Sequence, residues 1–430
     1  MMTKRQLEKY IEELGQKGSI LGLEPIRNLL DRMGNPQDRL KFVHIAGTNG
    51  KGSVLAFTST ILKSAGYKVG RYISPVIYEY REKIQVNEKY ITWNALLEGM
   101  SYIKEIIDGI VEDGGTSPTL FEVETALAFW YFDRMGCDIV VLETGLGGRD
   151  DATNVIKTTL IEAFAKISMD HMQILGKTLK DIATVKSGII KDNTIVITQR
   201  QKQEVKDVLS DVCYKKKTKL IETDEIKNIK YNIKNQSFDY KNYKKLKLSL
   251  LGTWQFENAA EAIDIVLALN ELGYNIDEKA IRKGLASTVW NGRFTIINKK
   301  PLIIMDGAHN EDASIRLRES IEVYLKDKEL VYIVGVLADK EYNKVLANTL
   351  DLAKCVVTLT PPENKRALPS ADLAKEALKY NKNVSTADSV EEALEMATLL
   401  AGKDCVIIAF GSLSYLGRLD KAVKKMYGGL

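Results

Sequence analysis

The chain has 430 residues, 45% of them hydrophobic and 27% charged, with a formal net charge of +4. That length exceeds one ordinary core and predicts at least two domains, and the balance of residues is that of a folded globular protein. So small a charge excludes the strongly basic profile of a nucleic-acid binder. Cys137, Cys213, Cys355 and Cys405 form no C-x-x-C pair, which argues against a zinc knuckle or a disulfide framework. The N-terminal "MMTKRQLEKYIEEL" is charged and amphipathic, and no run approaches the ~18 apolar residues of a membrane span. The expectation is a cytoplasmic protein with no nucleic-acid or membrane partner. With no coiled-coil or apolar seam in the sequence, a monomer is expected.

Apolar runs alternate with helical patterns, which predicts parallel sheets. The first part offers strands in "KFVHIAG" (41–47), "YKVGRYIS" (67–74), "DIVVLETG" (138–145), "LIEAFAKIS" (160–168) and "NTIVITQ" (193–199). Helices are expected at 53–65, 93–112, 121–135 and 178–190. Residues 201–250 are rich in lysine and tyrosine and alternate in "KKTKLIETDE" and "KNYKKLKLSLLG". They predict a small antiparallel appendage with solvated lysines. From 301 the rhythm restarts with "PLIIMDGAHN", "ELVYIVGVL", "KCVVTLT" and "DCVIIAFGS", separated by helical stretches such as 311–325, 370–380 and 389–401. That is a second open α/β sheet. The junction near "GRFTIINKKP" (292–301) divides the chain into expected domains of 1–297 and 298–430, with the appendage at about 201–250 inside the first.

"GTNGKGS" (47–53) stands directly after the first expected strand. A strand delivers the chain, glycines let backbone N–H groups turn inward, and a helix N-terminus beyond adds partial positive charge. The spacing is not that of G-x-x-x-x-G-K-[ST]: two residues separate Gly47 from Gly50, and Ser53 lies two after Lys51. A bare turn with Lys51 in water is the bland alternative. Strand before, helix after and lysine within favour a phosphate cradle.

Other polar residues end expected strands, where ligands of open α/β sheets bind. Glu143 ends one in "VVLETGLGGRDDATN" (140–154), Asp170 and His171 follow another in "ISMDHMQILG", and Ser74-Pro75 ends a third in "GRYISPVIYEYREKI". The G-x-G-G spacing of Gly145, Gly147 and Gly148 departs from a dinucleotide fingerprint, so hydride chemistry is not expected. A carboxylate, a neutral imidazole and a hydroxyl are candidate metal donors. Each alone is also an ordinary turn or cap residue. Of three histidines, His171 and His309 sit after strands, while His44 reads as packed strand interior.

Taken together these motifs resemble the folylpolyglutamate synthase/dihydrofolate synthase family, a branch of the Mur-type amide ligases. The series continues through "LFEVETALAF" (120–129), "KSGIIK" (186–191), "QFENAAEA" (255–262), "WNGRF" (290–294), "DGAHN" (306–310), "LADKEY" (337–342) and "GSLSYLG" (411–417). Any one is weak, but the ordered series over nearly the whole chain is specific. Three departures stand out: Asp150 replaces an apolar residue in "GGRDDATN", "SPVI" replaces "SPHL", and Trp254 takes the place of a frequent histidine.

The resemblance implies an α/β fold: a P-loop Mur-ligase-type central domain with a mostly parallel sheet, plus a C-terminal Rossmann-like domain. It implies an ATP-dependent ligase that joins a folate γ-carboxyl, or the carboxyl of dihydropteroate, to L-glutamate through an acyl phosphate. By that likeness Asn49, Gly50, Lys51, Gly52 and Ser53 wrap the phosphates, and Asn258, Arg293 and Asp306 complete the ATP site. Ser74, Glu143 and His171 hold Mg²⁺. Lys186 matches a lysine that can be carbamylated. Lys51, Lys186, Arg293 and His309 are implied as catalytic, and Glu122, Asp151, His309 and Ser412 as substrate-binding. "LGLEPI" (21–26) and Thr119–Glu122 resemble pterin-contacting segments, although Phe121 also reads as helix core.

Two alternatives remain at this stage, a Mur-type peptidoglycan precursor ligase and a non-catalytic nucleotide-binding protein on the same scaffold. The first usually carries a further N-terminal domain, whereas here the glycine loop begins at residue 47. A kinase would transfer phosphate without forming an amide. If "GTNGKGS" cradles phosphates, Lys51→Ala abolishes turnover while the far-ultraviolet circular dichroism of the protein persists. Near-normal activity in that variant refutes the cradle.

Overall fold

The computed structural model describes residues 1–16, 18, 22–402 and 404–428 and divides into two compact units. Unit 1 comprises Met1–Pro75, Glu79–Ile226 and Glu257–Thr288; unit 2 comprises Val76–Tyr78, Lys227–Phe256 and Val289–Leu430. The "LGLEPI" segment begins at Leu21, outside the described residues, and continues into a helix at Glu24–Arg32.

Unit 1 is built on strands β1 (Phe42–Ala46), β2 (Val69–Tyr72), β3 (Ile84–Val86), β4 (Lys89–Tyr90), β5 (Ile139–Glu143), β6 (Thr159–Phe164), β7 (Ile195–Thr198) and β8 (Lys219–Glu222). They form one sheet in the order β4-β3-β2-β5-β1-β6-β7-β8. The run from β2 to β8 is parallel, and β3 and β4 add an antiparallel edge. Central β1 and β5 read "FVHIA" and "IVVLE" and are buried throughout, as expected of strands covered on both faces. Helices begin where side chains satisfy the first free N–H groups. Thr92 accepts from Ala95 N, and Thr119 with Glu122 and Thr178 with Asp181 make reciprocal capping boxes.

Residues 201–226 differ from the expected appendage. Gln203–Lys216 is a helix, and Lys219–Glu222 is β8, parallel to β7 in the main sheet. The alternation in this stretch marks a half-exposed parallel edge strand, which periodicity alone cannot tell from a hairpin strand. The antiparallel piece is β9 (Lys227–Lys230), β10 (Gln236–Tyr240) and β11 (Tyr243–Leu248), which belongs to unit 2. Phe238, Leu246 and Leu248 turn inward while Lys244, Lys245 and Lys247 face solvent. The Phe238 and Tyr231 rings both meet Phe256 edge-on, and Tyr324 donates its hydroxyl to Gln236. These aromatic contacts fix the small sheet within unit 2.

Unit 2 also holds β12 (Thr295–Lys299), β13 (Leu302–Met305), β14 (Leu330–Val334), β15 (Cys355–Leu359), β16 (Val384–Ala387) and β17 (Val406–Phe410). Their order is β12-β13-β17-β14-β15-β16, parallel except for β12. This is the second open α/β sheet that the sequence predicts. All four cysteines are free and buried, and no helix among the described residues is long and apolar enough to cross a membrane.

The helix Lys51–Ser64 is held closely by Glu278–Ser287: a Cβ on Gly284 would lie 2.6 Å from Ile61 Cα. Gly284→Val must push the two backbones apart, which costs about 1–3 kcal/mol. A lower urea midpoint for the variant is expected, and an unchanged midpoint would show that the helices separate freely.

Candidate active site

The loop after β1 turns on two glycines that no other residue replaces. Gly47 has φ +148°, and a Cβ there would sit 3.0 Å from Ala165 Cβ; Gly50 has φ +93°, with Asn258 Oδ1 2.6 Å from where its Cβ would be. Thr48 and Asn49 donate their backbone N–H groups to Lys166 O, and Thr48 Oγ1 donates to Ser168 O. The loop is thus laced to the segment that follows β6. Gly50 caps the helix Lys51–Ser64, whose N-terminal N–H groups and dipole favour an anion. Ser53 is buried on its first turn, and its Oγ has no hydrogen-bond partner among the described residues.

Two lysines converge on this bend. Lys51 Nζ lies 3.2 Å from Gly47 O, and Lys186 Nζ donates to the same carbonyl at 2.9 Å. Glu143, the last residue of β5, is 3.9 Å from Lys51 Nζ. Burial, with Lys51 beside it, pushes the Lys186 amine down to about 7, against the opposing pull of Asp170 and Asp151. Lys186 is set by the turn after β5: Arg149 N donates to Val185 O, and a Cβ on Gly148 would lie 2.6 Å from Lys186 O. The glycines of "GLGG" therefore permit a close approach of two backbones.

Asp151 fixes that turn from within. Its carboxylate accepts from Leu146 N, Thr153 N and Thr153 Oγ1, and burial raises its pKa against those bonds. Behind it His44 Nε2 meets Thr153 Oγ1 at 2.8 Å, and burial drops the imidazole to about 3. His44 is the packed strand residue that the sequence suggests. Glu122 caps its own helix, with Oε2 accepting from Thr119 N and Oγ1. Its Oε1 is buried with no partner among the described residues.

Ser74 follows β2, and His171 caps the short helix Met172–Leu175 with Nε2 3.9 Å from Asp170 Oδ2. Among the described residues, no three His, Cys, Asp or Glu side chains gather as a ready metal site. The expected Ser74, Glu143 and His171 set contains only two such residues, so it makes no such cluster by itself.

In unit 2, Asp306 follows β13, accepting from Phe294 N and Ala308 N, so its carboxylate ties "WNGRF" to "DGAHN". Burial raises its pKa, and Arg293 works against that rise. Arg293 Nη1 donates to Gly292 O. His309 Nδ1 donates to Gly307 O at 2.7 Å, which leaves the lone pair of the neutral ring on Nε2. Ser412 Oγ lies 2.9 Å from Ser414 Oγ.

The sequence reading passed over Gln199 and Glu261. Both are buried beside Asn258, and Gln199 Nε2 donates to Asn258 Oδ1 and to Glu261 Oε2. The available signal was a polar residue directly after the apolar "IVIT", at the strand ends that already carry Gly47 and Glu143.

Comparison with known proteins now bears on this geometry. The Mur ligase middle domain matches residues 45–266, and the Mur ligase glutamate ligase domain matches residues 292–413. A dihydrofolate synthase/folylpolyglutamate synthase of Bacillus subtilis is 32% identical over 417 residues, covering 94% of this chain and 95% of that protein. The crystal structure of folylpolyglutamate synthase from Thermotoga maritima superposes with TM-score 0.84 at 33% identity, covering 97% of this chain and 95% of that one. The Mycobacterium tuberculosis folylpolyglutamate synthase, solved with ADP and AMPPCP, gives 0.88 at 28% identity, covering 98% of each chain.

The Lys186 shift has a signed consequence. Between about 7 and the ordinary 10.5 the unfolded chain binds a proton that the folded amine does not, so this lysine's contribution to stability rises with pH across that window. Below it the cost of burying the ammonium is at its full value. In buffer free of CO₂, Lys186→Met therefore gains most over the parent protein near pH 6, and the gain shrinks toward pH 10. Melting curves across that range test this, and a difference independent of pH contradicts it.

Proposed function

We infer the activity from a plain premise: the chain belongs to the folylpolyglutamate synthase/dihydrofolate synthase family of Mur-type ligases. It is an ATP-dependent ligase that adds L-glutamate to a folate carboxyl. One observation carries the reading at the level of this chain: two lysines, a helix N-terminus and a buried hydroxyl surround a single glycine bend. Lys51 and the helix N-terminus concentrate positive potential there and call for an anion. The ATP phosphates supply it, since the T. maritima and M. tuberculosis proteins are folate ligases and the latter was solved with ADP.

A carboxylate is a poor electrophile. In the reaction its oxygen attacks the γ-phosphorus, the bond to the β-phosphate oxygen breaks, and ADP leaves. The glutamate amine then adds to the acyl carbon, phosphate departs, and the amine nitrogen sheds a proton. Charge grows on phosphoryl oxygens, so fixed donors and cations do most of the catalysis. We assign Asn49, Gly50, Lys51, Gly52 and Ser53 to the phosphates, Arg293 to the γ-phosphate during transfer, and Asn258 and Asp306 to the rest of the nucleotide site. Asp306 acts by holding the segment that bears Arg293. Its own oxygens already serve backbone N–H groups. Glu122 and Asp151 shape the folate side through the helix start and turn they fix, and His309 and Ser412 are assigned to the incoming glutamate.

Ser74, Glu143 and His171 fit Mg²⁺ as a set of few donors. Glu143 ends one parallel strand and Ser74 and His171 follow two others of the same sheet; the first two offer hard oxygens and the imidazole is softer. Bound Mg²⁺ neutralises phosphate charge there. Lys186 fits carbamylation, because an amine at about 7 is substantially uncharged near neutrality. Its nitrogen adds to CO₂, loses a proton and becomes an anionic carbamate. Dihydropteroate is proposed as a second acceptor, in keeping with the double name of the B. subtilis relative. The relatives reported are named for folate ligation, and nothing favours a peptidoglycan precursor. A cytoplasmic monomer completes the proposal.

Phosphate release from ATP is the assay. Stimulation by tetrahydrofolate plus glutamate is expected, and by dihydropteroate plus glutamate if both reactions occur. Response to a UDP-peptide precursor alone would overturn the folate assignment. Arg293→Ala should slow substrate-dependent ADP formation by more than tenfold while folate binding changes little. Fast ADP formation in that variant would remove Arg293 from the phosphoryl-transfer step.

A further inference from the structure

Glu261 lies in mid-helix within Gln255–Glu271, fully buried in unit 1, with no ion-pair partner among the described residues. Its Oε2 accepts from Gln199 Nε2 at 2.8 Å, while Oε1 has no partner among the described residues. A carboxyl placed so is costly to bury. Burial raises its pKa well above the usual carboxylate range, against the Gln199 hydrogen bond and with Asp264 adding to the rise.

What the group does is visible one bond further on. Gln199 is the first residue after β7, anchored by its backbone N–H on Phe164 O. Its Nε2 has two hydrogens, and both are spent: one on Glu261 Oε2, the other on Asn258 Oδ1 at 2.9 Å. An amide nitrogen between two acceptor oxygens cannot flip without setting oxygen against oxygen. Gln199 is therefore fixed, and it fixes Asn258 in turn with Oδ1 inward. That Oδ1 is the atom 2.6 Å from the Cβ position of Gly50, within the phosphate loop.

We propose that Glu261 and Gln199 are positioning residues for the nucleotide, locking the Asn258 amide in one of its two orientations so that its NH₂ is presented to an acceptor atom of ATP. The inference rests on the reading of Asn258 as a nucleotide-binding residue. It adds two residues on separate elements, neither of which touches the ligand. An apolar replacement at 261 fills the same volume but leaves one Gln199 N–H without its acceptor, so some stability is lost whatever the carboxyl does. A positioning carboxyl adds a loss of ATP affinity that a purely structural one would not.

The test uses the whole protein and reads ATP KM against glutamate KM, kcat and melting temperature. Glu261→Met is expected to raise ATP KM about tenfold, the order of one hydrogen bond, with glutamate KM within about twofold and a modestly lower melting temperature. Gln199→Met should act alike, and the double variant should be no worse than either single one. Glu261→Gln, which restores a carbonyl acceptor for Gln199, should return ATP KM to the parent value. An unchanged ATP KM in Glu261→Met, alongside a raised one in Asn258→Ala, overturns the proposal and leaves the nucleotide reading standing. An unchanged ATP KM in Asn258→Ala removes that reading itself. A further measurement needs no variant: by side-chain amide NMR of the parent protein, the Gln199 NH₂ should exchange slowly with solvent. Rapid exchange of both its protons would likewise overturn the proposal.

Discussion

The carbonyl of Gly47 is the point on which unit 1 is organised. Two lysine amines lie against it, one from the helix that the loop opens and one from a helix more than a hundred residues later. Bringing two amines together at one buried oxygen is unfavourable unless an anion or a lost proton relieves it. The protein uses the second route for Lys186, whose amine titrates near neutrality. Triphosphate supplies the first in the proposed function. The rest of the site serves to keep this concentration of charge in place.

That support is largely backbone. Gly47 and Gly50 press against Ala165 and Asn258, and Gly148 against Lys186 O, at distances that leave no room for a side chain. Several acids that look like ligands in the sequence are also fasteners. Asp151 closes the turn after β5, Glu122 caps a helix, and Asp306 joins two loops of unit 2. A carboxylate accepting two or three N–H bonds is a rigid element, and rigidity in the surroundings is what lets a few cations act on a transferring phosphoryl group.

Glu143, Ser74, His171 and Gln199 share a simpler logic. Each ends or follows a strand of the parallel sheet, and parallel strands all deliver their C-terminal ends to one edge. Residues far apart in the chain become neighbours because the strand order is β2-β5-β1-β6-β7 rather than sequential. The functional side of unit 1 is a consequence of that order.

Much of this was legible in the sequence. Apolar runs located the strands from β1 to β7 that make the parallel sheet, and the glycine spacing located the bend at Gly47 and Gly50, because buried parallel strands and positive-φ turns each demand particular residues. Periodicity failed at β8, where an alternating edge strand looks the same whether its neighbour runs parallel or antiparallel. It found the antiparallel alternation that β9 to β11 show but not their place in unit 2, where Tyr324 from later in the chain meets them. Buried polar partners such as Glu261 and Thr153 carried no mark at all, and Gln199 carried only its place directly after an apolar strand. Local pattern records which face of an element is apolar, and it is silent on which polar atom another element will bring to meet it. The sequence thus determined the elements, their order and the chemistry at their ends. Packing alone decided which of those ends hold the site together and which are left to act.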